Sequence, residues 1–467
     1  MASEIRVNKI INRSGLSTVT FTSDGAIVSG IVSATVYTGS GANLTDLPAG
    51  NLSGTLPAIS AANLTNVPAA NITGTLPAID GSNLTGVGAS FGNSSVNTSG
   101  IITATAFVSD TPLSHRNKVI NGAMTVSQRG TSFASTLSEA QYTVDRFHHS
   151  IRGTNDSYYY QVSDSPDGFN KSMKVKCNST YTPSGSDNAG FATTLEGQDL
   201  QDLAFGTSSA KSITISFYAK SASQNNGHQY SFQIRSYPSG GATARTVTNS
   251  FTVTSSWQRF SFTFAGDTGA DIRNDNAAGM QLLWWLDAGP TDIISQITSF
   301  TSSASYRAVT GQDHFLNNTS NEFYITGCQL EVGPVATPFE HRSVADELAR
   351  CQRYYFAMCT DTYEILGTGH QYYSGNIFIP VYFPTTMRSE PTLEALAGGS
   401  GAYVYEKLFG NSAQYHHQIS QETGKTGHNQ SCIIMSGDAS RQGQTVRCAA
   451  HSFGSDTQRF VAFQAEL

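Results

Sequence analysis

Several acidic side chains could supply the paired carboxyl groups that glycoside hydrolysis needs. That reaction uses two carboxyl groups about 5–9.5 Å apart, one on each side of the scissile bond. The candidates are Asp145, Glu196, Asp199 with Asp202, Asp287 and Glu331. None of them lies in a known catalytic motif, and Glu331 and Glu340 fall in segments that we expect to be structural. We therefore predict no enzymatic activity and assign no catalytic residue.

Nucleophilic and metal chemistry have weaker candidates. The chain has no Gly-x-Ser-x-Gly motif, which is typical of serine hydrolases. The adjacent pairs His148–His149 and His416–His417 would point to opposite faces of any strand, so neither pair could bind one ion jointly. The six cysteines lie far apart without a Cys-x-x-Cys motif, which favours isolated buried thiols over a zinc site. We predict no metal site and no cofactor.

Trp285 is the first of our glycan-binding candidates, because the face of an indole ring packs well against the C–H face of a sugar. In the segment Met280–Asp287 apolar residues lie on both faces, and Trp285 belongs to the set that should point away from its own core. The alternative is that Trp285 packs on a loop or on a neighbouring subunit.

Four further glycan-binding candidates lie near the C-terminal end of the sequence. Tyr372 and Tyr373, and likewise Tyr415 and His416, fall between predicted strands. Rings of this kind stack on sugars, and their polar atoms form hydrogen bonds with hydroxyl groups. Ordinary filling of loops is the alternative explanation.

The composition predicts that β structure positions these side chains. Gly, Ser, Thr and Asn are plentiful, whereas Leu, Lys and Glu are scarce, as is typical of turn-rich β proteins. The net charge of −7 comes without a Lys/Arg cluster, which argues against a nucleic-acid partner. No apolar run approaches the roughly 20 residues that span a bilayer, and the opening has no secretion leader, so we expect synthesis in the cytoplasm and no membrane insertion.

The middle of the chain predicts a β-sandwich of long alternating strands. In Ile213–Ala219 the four apolar residues at alternate positions share one face. A hairpin is predicted between Phe251 and Phe264, with Phe260 and Phe262 also pointing inward.

A short helix is predicted after this sandwich, followed by a second β-sandwich. Ser343–Asp346 has the form of a capping box. The apolar side of the helix is formed by Val344, Leu348, Cys351 and Tyr355. Alternating segments between Arg353 and Phe463 then predict the strands of a C-terminal β tip.

The N-terminal part is built from a repeat of twenty residues, whose copies begin at Asn43, Asn63 and Asn83. Each complete copy carries five aliphatic side chains at spacings that fit neither a helix nor one continuous strand. One copy cannot bury these side chains, and too few copies are present for a single-chain solenoid. Three chains wound about one axis would bury them together, so we predict a trimeric stalk.

Four sequence segments resemble tail fibres of tailed bacteriophages, and those of marine cyanobacterial phages in particular. These segments are Arg116–Gly130, Tyr142–Phe147, the stretch Gly327–Arg342, and Glu347–Tyr355. The opening Met1–Gly15 and the stalk repeats add to the resemblance.

The resemblance implies a homotrimeric fibre located in the virion tail. Its N-terminus would join tail or adaptor proteins, and its distal β domains would contact a glycan or lipopolysaccharide of the host envelope. The middle domain of such fibres is similar to jelly-roll carbohydrate-binding modules. This analogy allows a structural calcium ion, but its ligands are not identified by the sequence.

We therefore predict an elongated all-β homotrimer that acts as an adhesin. Its four parts are a virion-attachment segment (1–30), a repeat-built stalk (31–110), a jelly-roll sandwich (111–342), and a helix followed by the β tip (343–467). The alternatives are a fibre that cleaves polysaccharide and a structural spacer without a ligand.

Overall fold

The computed structural model describes residues 9–11, 18–23, 25–29, 31, 35–36, 114–133, 141–153, 157–303, 308–360, 364–373, 376–395, 403–407, 414–416, 419–422, 426–436, 445–450 and 461–467. The chain divides into two compact units, residues 1–102 and 103–467. The predicted stalk, apart from residues 31, 35 and 36, lies outside the described residues. In the part that is described, no helix is long and apolar enough to cross a membrane.

The first unit contains a three-stranded antiparallel sheet. Its strands are β1 (Lys9–Ile11), β2 (Thr18–Thr22) and β3 (Gly25–Ser29), paired in that order. In β2 polar threonines alternate with Val19 and Phe21, the period-2 pattern of a strand.

The second unit begins with a β-sandwich, whose two six-stranded sheets are antiparallel throughout. The first, called the open sheet, has the order β12-β9-β17-β7-β6-β4. Its strands are β4 (Ser132–Phe133), β6 (Ser157–Val162), β7 (Ser172–Cys177), β9 (Ile213–Ser221), β12 (Gln258–Phe264) and β17 (Glu322–Val332).

The second sheet, called the covered sheet, has the order β15-β11-β10-β13-β8-β5. Its strands are β5 (Phe147–Arg152), β8 (Asn188–Glu196), β10 (Gln229–Ser236), β11 (Arg245–Thr252), β13 (Ala278–Ala288) and β15 (Thr301–Ser302). The chain crosses repeatedly from one sheet to the other, as it does in a jelly roll. Short 3₁₀ segments in the connections are Gly197–Leu203, Ser223–Asn225, Ser239–Gly241 and Phe315–Asn317.

An aromatic core fills the space between the two sheets. Trp284 is fully buried and stacks on Phe191 with 5.3 Å between ring centroids and 12° between ring planes. Phe217, from the facing sheet, meets Trp284 edge-on at 5.6 Å. The inward set Ile213, Ile215, Phe217 and Ala219 is buried as predicted, because alternate residues of a strand share one face.

The prediction of a hairpin between Phe251 and Phe264 is wrong. Strand β11 belongs to the covered sheet and β12 to the open sheet, so this connection crosses the sandwich. Phe251 and Phe260 still meet in the core, with centroids 5.2 Å apart, but they approach from opposite sheets. In a hairpin and in a connection that crosses between sheets, alternate residues point into the core in the same way. The alternating pattern therefore does not distinguish the two kinds of connection.

A covering segment, residues 290–303 and 308–310 as described, lies over the outer face of the covered sheet. It contains the parallel pair β14 (Ile293–Ile294) and β16 (Ala308–Val309). The Val309 amide donates to Ser231 Oγ of β10 at 2.8 Å, and the Thr248 amide of β11 donates to the Ile297 carbonyl at 2.9 Å.

Helix α1 (Val344–Gln352) follows the sandwich, as predicted. The Ser343 hydroxyl accepts a hydrogen bond from the Asp346 amide at 3.1 Å and so caps the helix. The buried Glu347 carboxylate accepts from the Asn121 amide and from Arg342, which fixes the helix to the sandwich.

The tip consists of two antiparallel sheets. The small sheet has the order β18-β27-β21 and contains β18 (Tyr355–Cys359), β21 (Thr392–Ala395) and β27 (Val461–Gln464). The large sheet has the order β23-β22-β26-β19-β20-β25-β24. Its strands are β19 (Ile365–Tyr373), β20 (Asn376–Tyr382), β22 (Tyr403–Lys407), β23 (Gln414–His416), β24 (Ile419–Gln421), β25 (Gln430–Ser436) and β26 (Thr445–Ala450).

A buried polar network joins the tip to the sandwich. The Arg146 guanidinium lies 3.4 Å from the centroid of the Tyr354 ring and pairs with Glu466. Arg129 lies 3.5 Å from the centroid of the Tyr355 ring and reaches the same carboxylate at 3.3 Å. One glutamate of the tip therefore pairs with two arginines of the sandwich.

The segments that resemble tail fibres meet close to this network. The Asn121 side chain donates to the carbonyls of Val126, at 2.7 Å, and Asp145, at 2.8 Å. The Asn117 side chain donates to the Cys328 carbonyl at 3.1 Å. These segments therefore form hydrogen bonds with one another near the place where the tip joins the sandwich.

Candidate functional site

Trp285 points away from the main core, as predicted, but it does not present a free ring face. Its relative exposure is 1 %, and it packs in a separate small cluster with Leu283 and Ala308. Its indole N–H donates to Gln233 Oε1 at 3.0 Å. The covering segment supplies Ala308, so the alternative that Trp285 packs on a loop is correct.

The other four predicted residues lie on the large sheet of the tip. Tyr372 and Tyr373 end strand β19, whereas Tyr415 and His416 lie in the edge strand β23. Two strands separate β19 from β23, so the structure does not bring the two pairs together. Their side chains lie outside the described residues, so their role in glycan binding stays a prediction.

Buried acidic candidates have structural partners. The Glu196 carboxylate pairs with Arg353 at 2.8 Å and accepts from the Tyr354 hydroxyl at 2.5 Å. Glu331 accepts from the amide of Thr337, at 2.9 Å, and from its hydroxyl, at 2.6 Å, as expected for a structural residue. Asp145 accepts from the Gln128 amide at 2.8 Å.

The remaining acidic candidates lie at other places in the sandwich. Asp202 pairs with Lys118 at 2.8 Å, and Asp199 is exposed beside it. Asp287 is fully buried and contacts Nδ1 of His314 at 2.7 Å. Burial raises the pKa of Asp287, although the Leu316 amide and His314 oppose the shift. Glu340, the other acidic residue expected to be structural, accepts from the Asn117 amide at 2.9 Å.

His148 and His149 point to opposite faces of β5, as predicted. His149 packs edge-on against the core residue Tyr159 at 5.0 Å, whereas Nε2 of His148 lies 3.4 Å from the side chain of Gln281. Within the described ranges, no group of three or more His, Cys, Asp or Glu side chains is placed to hold a metal ion.

The outer face of the open sheet carries a row of alternating aromatic and lysine side chains, which we call the aromatic–lysine row. It consists of Tyr160, Lys174, Tyr324, Lys220 and Trp257. The sheet register produces the row, because Tyr160 lies opposite Lys174, Lys174 opposite Tyr324, and Tyr324 opposite Lys220. Trp257 immediately precedes β12, beside the Lys220 end of β9. The row therefore crosses five neighbouring strands of the sheet.

Each lysine of the row lies between two rings. Lys174 Nζ is 5.0 Å from the centroid of Tyr160 and 6.0 Å from that of Tyr324. Lys220 Nζ is 4.7 Å from Tyr324 and 5.5 Å from Trp257. Each such cation–π contact stabilises an exposed site by about 0.5–1 kcal/mol. The rings of Trp257 and Tyr324 meet at 75° with centroids 6.3 Å apart, so they form a corner.

Two carboxylates fix the ends of the lysine side chains. Asp164 accepts from Lys220 at 2.6 Å and from the Trp257 indole N–H at 3.2 Å. Glu322 accepts from Lys174 at 3.3 Å and from the Tyr324 hydroxyl at 2.5 Å. Burial and the hydrogen bond to Glu322 raise the pKa of Tyr324, so its hydroxyl keeps its proton and remains a donor. The row is therefore held in place before any ligand arrives.

More rings flank the row on both sides. Tyr158 lies two residues from Tyr160 on β6, with ring centroids 6.0 Å apart. On the other side, Phe169 packs against Tyr218 at 5.3 Å and Phe339 at 5.0 Å. This second cluster sits above Gly327, whose φ of +65° forms a bulge in β17. A Cβ atom there would lie only 2.8 Å from Phe169, so glycine makes room for the rings.

The geometry of the row suits an extended polar ligand with apolar faces. Five strands are separated by four spacings of ~4.8 Å, so the row is roughly 19 Å long. Half-exposed rings can stack on sugar faces, while the lysines and carboxylates offer donors and acceptors to hydroxyl groups.

The sequence contains a signal for this row, although none of its residues is among the predicted glycan-binding candidates. Strands β6, β7, β9 and β17 each carry two half-exposed aromatic or charged residues at alternate positions, on the side opposite the core. These pairs are Tyr158 and Tyr160, Lys174 and Lys176, Tyr218 and Lys220, and Glu322 and Tyr324. Finding the row also requires the strand order, which alternation does not supply.

Comparisons with known proteins show only distant likenesses. No protein-family model matches the chain, and no curated protein matches it. Among solved structures, the chain is similar to the enzymatically active domain of bacteriophage CBA120 tailspike protein 4, with 13 % identity and a TM-score of 0.26. That match covers 46 % of this chain and 21 % of the tailspike chain, so this chain spans about a fifth of it.

Carbohydrate-binding modules form the other group of similar structures. The family 11 module from Clostridium thermocellum, in complex with a mixed-linked tetrasaccharide, shows 14 % identity and a TM-score of 0.23. The match covers 45 % of this chain and 99 % of the module. The tandem CBM22 domain from Paenibacillus barcinonensis Xyn10C shows 11 % identity and a TM-score of 0.23, and covers 76 % of this chain and 100 % of that one. These TM-scores are low, so the likeness assigns neither a fold family nor a function.

Proposed function

We propose that this chain is an adhesin that binds a host surface glycan through the aromatic–lysine row. The observation that carries the proposal is the row itself, in which Tyr160, Tyr324 and Trp257 stay partly exposed and side by side with two lysines on one face of the sheet. Ion pairs and cation–π contacts hold these rings in fixed positions, which lowers the entropy lost on binding.

The proposal includes the assembly and the location predicted from the sequence. The chain would be a homotrimeric fibre of a virion tail, attached through residues 1–30 and extended by the stalk of residues 31–110. Three copies of a shallow site on one fibre raise the effective concentration of binding groups, so weak individual sites suffice. The repeats and the segments that resemble tail fibres support this part of the proposal.

Binding to purified envelope polysaccharide tests the site. We expect Trp257→Ala and Tyr324→Ala each to weaken binding roughly tenfold, because each removes a ring contact of about 0.5–1.5 kcal/mol together with its neighbours. Ser261→Ala is the matched control, since Ser261 is exposed on the same sheet but lies outside the row. Isothermal titration calorimetry provides the affinities.

Two outcomes would contradict the proposal. Unchanged affinity in both ring variants would remove the row as the binding site. Release of reducing ends from the polysaccharide by the purified chain would show a cleaving fibre, which is the alternative function.

A further inference from the structure

A separate cavity of about 390 Å³ opens on the large sheet of the tip. Strands β20 and β25 and the turn at residues 426–430 form its walls. The side chains that matter for binding are Tyr382, Glu422 and Gln430. The cavity belongs to the tip and shares no residue with the aromatic–lysine row.

The register of the sheet places these side chains on one face. Tyr382 lies directly opposite Gln430, and Pro380 lies opposite Cys432. The Glu422 amide donates to the Cys432 carbonyl at 2.9 Å, which aligns Glu422 with the same row. The alternate residues Ile379 and Val381 are buried in the core of the tip, so their neighbours on β20 point outward.

The turn that forms the other wall is firmly anchored. The Gly427 amide donates to the Gln430 carbonyl at 2.8 Å, and the Met387 amide donates to the His428 carbonyl at 2.7 Å. Asn429 is held twice, because its carbonyl accepts from the Phe383 amide at 3.0 Å and its side chain contacts the Thr386 hydroxyl at 2.8 Å. The cavity is therefore formed before a ligand binds.

Tyr382 stands at the rim of this cavity with 73 % of its surface exposed. Of the described residues, it is the one aromatic side chain among the exposed large apolar residues, the others being valines and isoleucines. Glu422 supplies two acceptor oxygens, and Gln430 supplies both donors and an acceptor.

We propose that this cavity binds a neutral saccharide. The Tyr382 ring would stack on one face of the sugar, while Glu422 and Gln430 would form hydrogen bonds with adjacent hydroxyl groups. The Glu422 carboxylate would repel a uronate or a sulfate, because these groups carry a charge of the same sign. This inference rests on the proposed function in one respect, namely that the ligand of the chain is a glycan. The site itself is a different one.

Saturation-transfer NMR on the full chain tests the inference. The probes are the methyl glycosides of glucose, galactose, mannose and N-acetylglucosamine, with methyl glucuronide as the acidic comparison. We expect saturation of at least one neutral glycoside, and about tenfold weaker binding of it in Tyr382→Ala, from the loss of a ring contact. Tyr382→Phe keeps the ring and should retain the binding, whereas Glu422→Gln should raise the relative signal of the glucuronide.

The row variant Trp257→Ala separates this inference from the proposed function, since it leaves the cavity intact. Neutral-sugar binding that survives Tyr382→Ala but is lost in Trp257→Ala would overturn the cavity while supporting the row. The absence of a signal from all four neutral glycosides in the unmodified chain, or an equal signal from the glucuronide, would also overturn it.

Discussion

The two outer faces of the sandwich carry similar residues but differ in what lies over them. On the open sheet, Trp257 is half-exposed and its indole N–H donates to the exposed carboxylate of Asp164. On the covered sheet, Trp285 also points outward, but the covering segment buries it and its N–H donates to Gln233. The outward direction of a ring is therefore not enough for a binding platform, because a later part of the chain decides whether solvent reaches it.

Replacing the two tryptophans should give the largest contrast between the faces. We expect Trp285→Ala to reduce the free energy of unfolding by about 3–5 kcal/mol, as is usual for a buried tryptophan. Trp257→Ala should cost less than about 1 kcal/mol, because its contacts are partly exposed. Urea unfolding followed by circular dichroism measures both, since each variant lacks a different one of the three tryptophans and their fluorescence signals would not be comparable. Equal costs would show that the covering segment does not stabilise the fold through Trp285.

Removing a glutamate should also destabilise the two sheets to different extents, because one glutamate is buried and the other is partly exposed. The Glu196 side chain of the covered sheet is fully buried, whereas Glu322 of the open sheet is partly exposed. Removing one partner of a buried ion pair costs about 3 kcal/mol or more, so Glu196→Gln should be strongly destabilising. Glu322→Gln should cost at most about 1 kcal/mol, as is usual for an exposed pair. Urea unfolding of the two variants measures the difference, and equal losses would contradict it.

Acid should weaken the fold through Glu196. Burial alone would raise the pKa of Glu196, but hydrogen bonds from Arg353 and Tyr354 outweigh it and hold the pKa below its ordinary value of 4.5. The stabilisation is therefore complete above pH 4.5 and is lost as the pH falls through the lowered pKa of the folded state. Urea unfolding at several pH values checks this. A Glu196→Gln variant with an unchanged pH dependence would contradict the assignment.

A substitution at the Gly327 bulge should reduce stability by an intermediate amount and should affect the open sheet alone. Gly327→Ala would place a Cβ at positive φ and against Phe169 and Tyr218, so we expect a loss of about 1–2 kcal/mol together with weaker glycan binding. Gly168→Ala is the matched control, because Gly168 has φ of +87° but no atom within 4 Å of the added Cβ. If both variants bind glycan equally well, the rings above the bulge do not support the site.

Lys220 should give the smallest effect on stability. Lys220→Met removes one charge, which Tyr324 and Trp257 share and which pairs with the exposed Asp164, but keeps a side chain that covers both rings. We therefore expect a loss of only about 0.5–1 kcal/mol. The loss should shrink in 1 M salt, because salt screens exposed charges. Lys211→Met serves as the control on an exposed lysine outside the row. A salt-independent loss would show that packing of the methylene groups accounts for it.

Strand alternation predicted which residues face which side. It separated Trp284 from Trp285 and placed Phe260 and Phe262 inward, while the capping box identified the helix that follows Ser343. These features depend on neighbours within a few residues, so local sequence is sufficient to predict them.

Contacts between distant segments were not predictable in the same way. Trp285 is covered by Ala308, more than twenty residues later. The apolar residues on both faces of β13 are compatible with such a cover, but they do not identify the segment that supplies it. The row joins side chains from Tyr160 to Tyr324 through a strand order that alternation leaves open. The crossing between Phe251 and Phe264 was missed for the same reason.

The network around Glu466 has a consequence for how the chain is made. Ribosomes release residues in order, and N-terminal domains generally fold first during translation. Arg129 and Arg146 emerge more than three hundred residues before the carboxylate that pairs with both of them. Strand β27, which pairs with both β18 and β21, leaves the ribosome at nearly the same late stage as Glu466. A nascent chain that stalls before residue 461 would therefore lack the carboxylate that pairs with both arginines and would have an incomplete small sheet in the tip.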